Sequence, residues 1–186
     1  MKARDIPNIL TIMRILLVPP VVWLLLKEDF AMALWLFFIA GVSDGLDGFL
    51  AKQFCWTSRL GEFLDPLADK LLLVFSMLAL GKLGLLPAWL IAIVLLRDVT
   101  IVAGALFYHF KVSRFDAEPS VISKLNTFSQ ILLVLLVIAN QLIPIDFSNP
   151  ILALIFLVTL TIFLSGVDYV ITWGKRARNF NSSGGK

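Results

Sequence analysis

Four aspartates carry the first chemical signal in this chain of 186 residues. Asp44 and Asp47 are three residues apart, and Asp65 and Asp69 are four apart. On a helix these spacings keep each pair on one face. A linker of about 17 residues between Asp47 and Asp65 is long enough to fold the chain back, so that the two pairs can meet. Four carboxylates at one point repel each other and neutralise unless a cation offsets them. A cluster of hard oxygen ligands suits Mg²⁺ or Mn²⁺, often with a substrate phosphate completing the shell. The plainer alternative is a set of solvated helix-end aspartates, which need not fall on two facing stripes.

The elements that must hold these residues are transmembrane helices. The chain is 59% apolar and 16% charged, with a mean hydropathy of +0.92. A soluble domain carries about 45–50% apolar and about 25% charged residues. The composition therefore predicts an all-α, polytopic membrane protein. Six spans are expected, over Pro7–Leu26, Phe30–Ser43, Asp65–Leu80, Pro87–Phe110, Val121–Pro144 and Pro150–Trp173, where a crossing helix needs about 20 residues. Residues 1–178 read as one membrane domain and 179–186 as a flexible polar tail. The stretch Met1–Asp5 is too short for a signal or transit peptide, so no cleaved leader is expected.

Charge bias sets the expected orientation. With the N-terminus in the cytosol, eleven cations fall inside, among them Lys2, Arg4, Lys52, Arg59, Lys175 and Arg176, while only Lys27 and Lys82 fall outside. Both termini are therefore expected to be cytosolic. The net charge of +3 reads as a topology and lipid-surface signal, not a nucleic-acid footprint. A single cysteine, Cys55, forbids an intrachain disulfide and reads as a small apolar filler.

Polar residues inside spans are costly and so informative. Asn8, Thr11 and Arg14 recur every three residues along the first span. Arg14 must face protein or water; it serves either as a ligand-binding cation or as a bridge to the aspartates. Pro19-Pro20 is expected to kink this helix. Arg97-Asp98 sit inside the fourth span, and Lys124 begins the fifth. Such cations are candidates for an anionic ligand; the alternative for Arg97 is a pair with Asp98 or with an aspartate of the cluster. Leu125–Ile145 and Phe147–Val167 carry no charge, and the sixth span reads as apolar filler.

The run Asp44-x2-Asp47-Gly48-x2-Ala51-Lys52-x8-Gly61-x3-Asp65-x3-Asp69 resembles the signature of the CDP-alcohol phosphatidyltransferases. Every spacing fits, and one position departs, with Lys52 where the family has Arg. The remaining seven specified residues match by chance at odds on the order of one in a million, taking about 5–8% usage per residue type. The resemblance covers roughly residues 6–140, including a Pro7-Asn8-x2-Thr11-x2-Arg14 stretch similar to one that lines the family's nucleotide cavity.

The resemblance implies six spans, a cytosolic-side active site, a homodimer, and transfer of a phosphatidyl group from CDP-diacylglycerol to an alcohol with release of CMP. It implies a two-metal site of Asp44, Asp47, Asp65 and Asp69, with Asp69 also the general base. It implies that Asn8, Thr11, Arg14, Gly48, Ala51, Lys52 and Gly61 contact CDP-diacylglycerol. Lys52 would offer the diphosphate a point charge in place of a planar fork. Relatives that use phosphorylated acceptors carry an Arg and a Lys in positions like Arg97 and Lys124. The stretches Lys27–Phe30, Leu96–Val99 and Ile122–Thr127 look most like the branch that takes phosphatidylglycerol to cardiolipin, and next like the branch that takes glycerol 3-phosphate.

Other residues read as structural. His109 is an interfacial spectator, and Trp23, Trp56, Trp89 and Trp173 are belt anchors, with Trp35 more buried. Asp168 is expected to pair with a neighbouring cation. Two rivals remain: an intramembrane cation or proton transporter, and an inactive scaffold of the same family. The first lacks the internal repeats transporters often show; the second is favoured only by Lys52. The expected compartment is a bacterial cytoplasmic membrane, with the mitochondrial inner membrane as the alternative.

Overall fold

A computed structural model describes the backbone over residues 6–54, 59–112 and 121–183, and side chains over 11–43, 68–101 and 122–166. Among the described residues the chain is all helical. In order the helices are α1 (Ile6–Leu26), α2 (Phe30–Phe54), α3 (Arg59–Lys82), α4 (Ala88–Val112), α5 (Val121–Asn140) and α6 (Ser148–Ser183). Among the described residues two segments, Ile122–Asn140 and Ser148–Gly166, are long and apolar enough to cross a membrane; Thr11–Leu26 and Phe30–Ser43 are shorter apolar stretches. Helices α2 and α3 extend well past the expected spans Phe30–Ser43 and Asp65–Leu80. The stretch expected to link the two aspartate pairs is therefore largely helix. Likewise α6 continues through Lys175-Arg176 into the polar end of the chain.

The chain forms two compact units. The first comprises Met1–Ala88 with Val134–Phe147, and the second Trp89–Leu133 with Ser148–Lys186. In the first unit α1 packs against both α2 and α3. The buried face of α1 runs Thr11, Arg14, Val18, Val21, Leu25. The alternating steps of three and four are those of a helix seam. The seam is apolar at one end and polar at the other. The buried surfaces of α2 and α3 mix small and large residues, Ala33, Phe37 and Ala40 on α2 and Ala68, Leu72, Leu73 and Met77 on α3; the alanines let helix backbones approach closely. Pro19 and Pro20 stand inside α1.

Two of the turns in this unit use the same device. After α1, Asp29 N–H donates to the Leu24 carbonyl at 3.0 Å and Glu28 N–H to that of Leu25 at 2.9 Å. After α3, Leu85 N–H donates to Leu80 at 3.0 Å and Gly84 N–H to Gly81 at 3.0 Å. These are Schellman closures with a left-handed residue at the fifth position. Gly84 adopts φ 74° at no steric penalty, whereas Glu28 holds φ 61° with a side chain. Asp29 then caps α2, its carboxylate accepting the Met32 N–H at 3.2 Å.

In the second unit the buried positions of α4 (Leu90, Ile91, Val94, Arg97, Asp98), of α5 (Asn126, Ser129, Gln130, Leu133) and of α6 (Val158, Thr161, Ile162, Ser165) repeat every three or four residues. Large apolar side chains point outward instead, with Leu96 68% and Phe156 70% exposed, as Leu16 of the first unit is at 67%. Polar groups inside and oil outside suit a bilayer as solvent. Trp35 is 65% exposed, which corrects the expectation of a more buried residue. It shares its exposure with Met32, Phe38, Ile39 and Val42 on the outward side of α2. Trp23 and Trp89 are exposed, as belt residues would be.

Candidate active site

The first constellation lies in the first unit. All four aspartates stand on helices, Asp44 and Asp47 on α2 and Asp65 and Asp69 on α3, and α2 packs against α3. The side chains of Asn8, Asp44, Asp47, Gly48, Ala51, Lys52, Gly61 and Asp65 lie outside the described residues, as do those of Cys55, Trp56, His109, Asp168 and Trp173. Asp69 is described. Its carboxylate is 39% exposed and its Oδ1 accepts a hydrogen bond from Arg14 Nη1. Arg14 is 1% exposed. It sits on the buried seam of α1, so its charge must meet a partner inside the protein. The partner is 55 residues away on α3.

This bond joins the Asn8–Thr11–Arg14 stripe to the last aspartate of the motif. Thr11, one turn before Arg14, is fully buried. The bridging alternative for Arg14 is thus present in the structure, and it leaves the ligand-binding reading open. Among the described residues no three His, Cys, Asp or Glu come together. The donor chemistry nonetheless fits hard divalent cations: two packed helices carry four carboxylates, and Arg14 offsets one of them.

The second constellation lies in the second unit and centres on Arg97 of α4. Arg97 Nη1 donates to Asp98 Oδ1 at 2.8 Å. Nη2 donates to Ser123 Oγ of α5 at 2.7 Å and to Ser165 Oγ of α6 at 3.3 Å. Pairing with Asp98, one of the two readings of Arg97, is therefore realised. Lys124, the next residue after Ser123, is exposed. One turn along, Thr161 of α6 donates to Asn126 Oδ1 of α5 at 3.0 Å.

Ser123, Asn126, Gln130, Thr161 and Ser165 had no assigned role in the sequence, and α6 is not filler. The signal was present. Ser123, Asn126 and Gln130 are spaced by three and four within α5, and Thr161 and Ser165 by four within α6. Neutral polar residues are masked when only charges are tracked through an apolar run.

A family model for CDP-alcohol phosphatidyltransferases matches residues 4–172. The CDP-diacylglycerol–glycerol-3-phosphate 3-phosphatidyltransferase of Aquifex aeolicus is 33% identical over 172 residues, which cover 90% of this chain and 94% of that protein. The cardiolipin synthase (CMP-forming) of Rattus norvegicus is 36% identical over 145 residues, 69% of this chain and 48% of that protein. A probable cardiolipin synthase (CMP-forming) of Drosophila melanogaster is 39% identical over 142 residues, 68% and 44% respectively. The chain thus spans less than half the length of the rat and fly relatives. It belongs to the CDP-alcohol phosphatidyltransferase family.

Proposed function

We propose that this chain transfers the phosphatidyl group of CDP-diacylglycerol to a hydroxyl of phosphatidylglycerol, forming cardiolipin and releasing CMP. The observation that carries this reading is the Arg14–Asp69 bond. It draws the stripe similar to a nucleotide-lining segment onto the last residue of the aspartate motif. In the reaction the acceptor oxygen bonds to the phosphorus that bears the diacylglycerol. The bond from that phosphorus to the oxygen bridging to CMP breaks, and CMP leaves with that oxygen. Asp69 takes the hydroxyl proton, and Arg14 orients its carboxylate. Asn8, Thr11, Gly48, Ala51, Lys52 and Gly61 accommodate the nucleotide and its diphosphate. Asp44, Asp47, Asp65 and Asp69 would hold Mg²⁺ or Mn²⁺, which when bound neutralises charge on the attacking and leaving oxygens. Six spans with both ends in the cytosol of a bacterial cytoplasmic membrane, and a homodimer, complete the proposal.

Arg97 and Lys124 bind the acceptor phosphate. The stretches Lys27–Phe30, Leu96–Val99 and Ile122–Thr127, which look most like the branch that takes phosphatidylglycerol, support a phosphodiester acceptor. A second reading, glycerol 3-phosphate as acceptor, is favoured by the coverage of the Aquifex relative.

The test is an acceptor-choice assay in nanodiscs with Mg²⁺ or Mn²⁺ and labelled CDP-diacylglycerol. Cardiolipin formed with phosphatidylglycerol alone supports the proposal. Phosphatidylglycerophosphate formed with glycerol 3-phosphate alone overturns the acceptor and keeps the chemistry. Absence of CMP with every alcohol overturns the enzyme reading.

A further inference from the structure

The Arg97 site has two buried donors without acceptors. The Arg97 side chain is 7% exposed, and its Nε–H has no hydrogen-bond partner. Ser165 is fully buried and accepts the Nη2–H bond at 3.3 Å, long for such a bond. Its own hydroxyl proton reaches no acceptor among the described residues. Among the described residues Ser76 Oγ is likewise buried without a partner, whereas other hydroxyls turn back on their own helix. Ser43, Thr100, Ser129 and Thr159 each donate to the carbonyl four residues before them, at 2.7–2.8 Å. Ser165 does not turn back in this way.

The two donors are linked through Nη2. Nε and Nη2 share one edge of the guanidinium plane, and Nη2 is the atom that reaches Ser165, at 3.3 Å, as well as Ser123, at 2.7 Å. An edge with two parallel N–H groups matches two oxygens of a phosphate. A buried donor left without an acceptor costs free energy in any protein, and in hydrocarbon no water relieves it. An anionic oxygen on this edge would satisfy both groups.

We propose that Ser165 of α6 is a phosphate-binding residue for the acceptor. With Arg97 Nε–H it forms a two-donor oxyanion receptor in the second unit. The inference rests on the reading of Arg97 as an acceptor-binding residue and adds a ligand from a helix that carries none in that reading. The long Ser165–Nη2 bond yields to the phosphate oxygen, and the serine donates its proton to that oxygen.

The experiment measures KM for phosphatidylglycerol and for glycerol 3-phosphate, KM for CDP-diacylglycerol, kcat and melting temperature. The full chain in nanodiscs is used, with Ser165→Ala, Ser165→Thr and Arg97→Ala. Whichever acceptor turns over, Ser165→Ala raises its KM about three- to tenfold, with kcat and the CDP-diacylglycerol KM within about twofold. Ser165→Thr, which keeps the hydroxyl, restores the KM. Ser165→Ala is expected to fold, since alanine suits a helix better than serine. A raised KM in Arg97→Ala with no change in Ser165→Ala overturns the inference and spares the reading beneath it. No change in Arg97→Ala overturns both. A fall in melting temperature for Ser165→Ala with unchanged KM assigns the hydroxyl to packing and also overturns it.

Discussion

Arg14 and Arg97 are both buried arginines paired with aspartate, yet they are held in opposite ways. Arg14 reaches across 55 residues to a carboxylate on another helix. Arg97 pairs with its immediate neighbour, and its remaining contacts are neutral hydroxyls from two other helices. The first arrangement fixes one helix against another and orients the aspartate it meets. The second supplies a local counter-ion and surrounds the cation with weak, replaceable partners. A cation whose job is to hold a residue wants a charged partner far along the chain. A cation whose job is to receive an anion is better kept company by groups that can yield.

The largest expected effect falls on the Arg14 side. Asp69→Asn keeps the shape and a hydrogen-bond acceptor for Arg14 but removes the base. Turnover is expected to fall by about 10²–10⁴-fold, the usual range for general-base removal. The melting temperature should also fall, since the buried Arg14 loses its charged partner. Near-normal turnover in a sample that binds metal normally would sink the assignment of Asp69. Arg14→Ala comes next. Breaking a buried pair by removing one partner costs about 3–5 kcal/mol, and the part-exposed Asp69 end lowers that figure. Stability and turnover should therefore drop together, and Arg14→Lys should recover stability more than turnover because it lacks the fork. If Arg14→Ala lowers turnover with no loss of stability, Arg14 is a ligand contact and not a helix tie.

A smaller effect of opposite sign is expected at the second arginine. Asp98→Asn removes the counter-ion with which an incoming phosphate competes. The acceptor KM should fall about two- to fivefold while the melting temperature also falls, since a buried cation loses its charged partner. A raised acceptor KM would mean that Asp98 orients Arg97 for binding, and the contrast with Arg14 would narrow.

Much of this was legible in the residues. The aspartate motif, the Asn8–Thr11–Arg14 stripe and Arg97 are charged or polar where oil is expected, and that anomaly can be seen without coordinates. The helices were legible from hydropathy, but α2 and α3 were drawn too short because charges within Asp44–Asp69 look like a loop to a hydropathy scale. The hydroxyls of Ser123, Thr161 and Ser165 were missed because serine and threonine are tolerated in apolar helices, where they bond to their own backbone. Only three-dimensional pairing separates Ser165, which meets Arg97, from Thr159, which donates to the carbonyl of Ile155. The Lys27-Glu28-Asp29 turn is visible in the sequence only as a family resemblance. Its physical content, a left-handed Glu28 followed by a capping Asp29, depends on backbone angles that residue types alone do not fix.

The smallest expected effect tests where the functional polar site ends. Thr161 and Asn126 sit one turn along α6 and α5 from the Arg97 contacts, and their hydrogen bond is neutral and buried. Thr161 also reaches the Leu157 and Val158 carbonyls, at 2.9 and 3.0 Å, so its proton has other places to go. Thr161→Val keeps the volume and removes the hydroxyl. Hydrogen bonds of this kind between membrane helices are worth about 0.6 kcal/mol on average. A loss of about 0.5–1 kcal/mol follows, a shift of a few degrees at most for a chain of this length. Acceptor KM and kcat should stay unchanged, in contrast to Ser165→Ala one turn away. If Thr161→Val raises the acceptor KM as Ser165→Ala does, the binding site runs on past the guanidinium into the Asn126–Thr161 layer. Arg97 would then be the mouth of a longer polar channel and not a self-contained receptor.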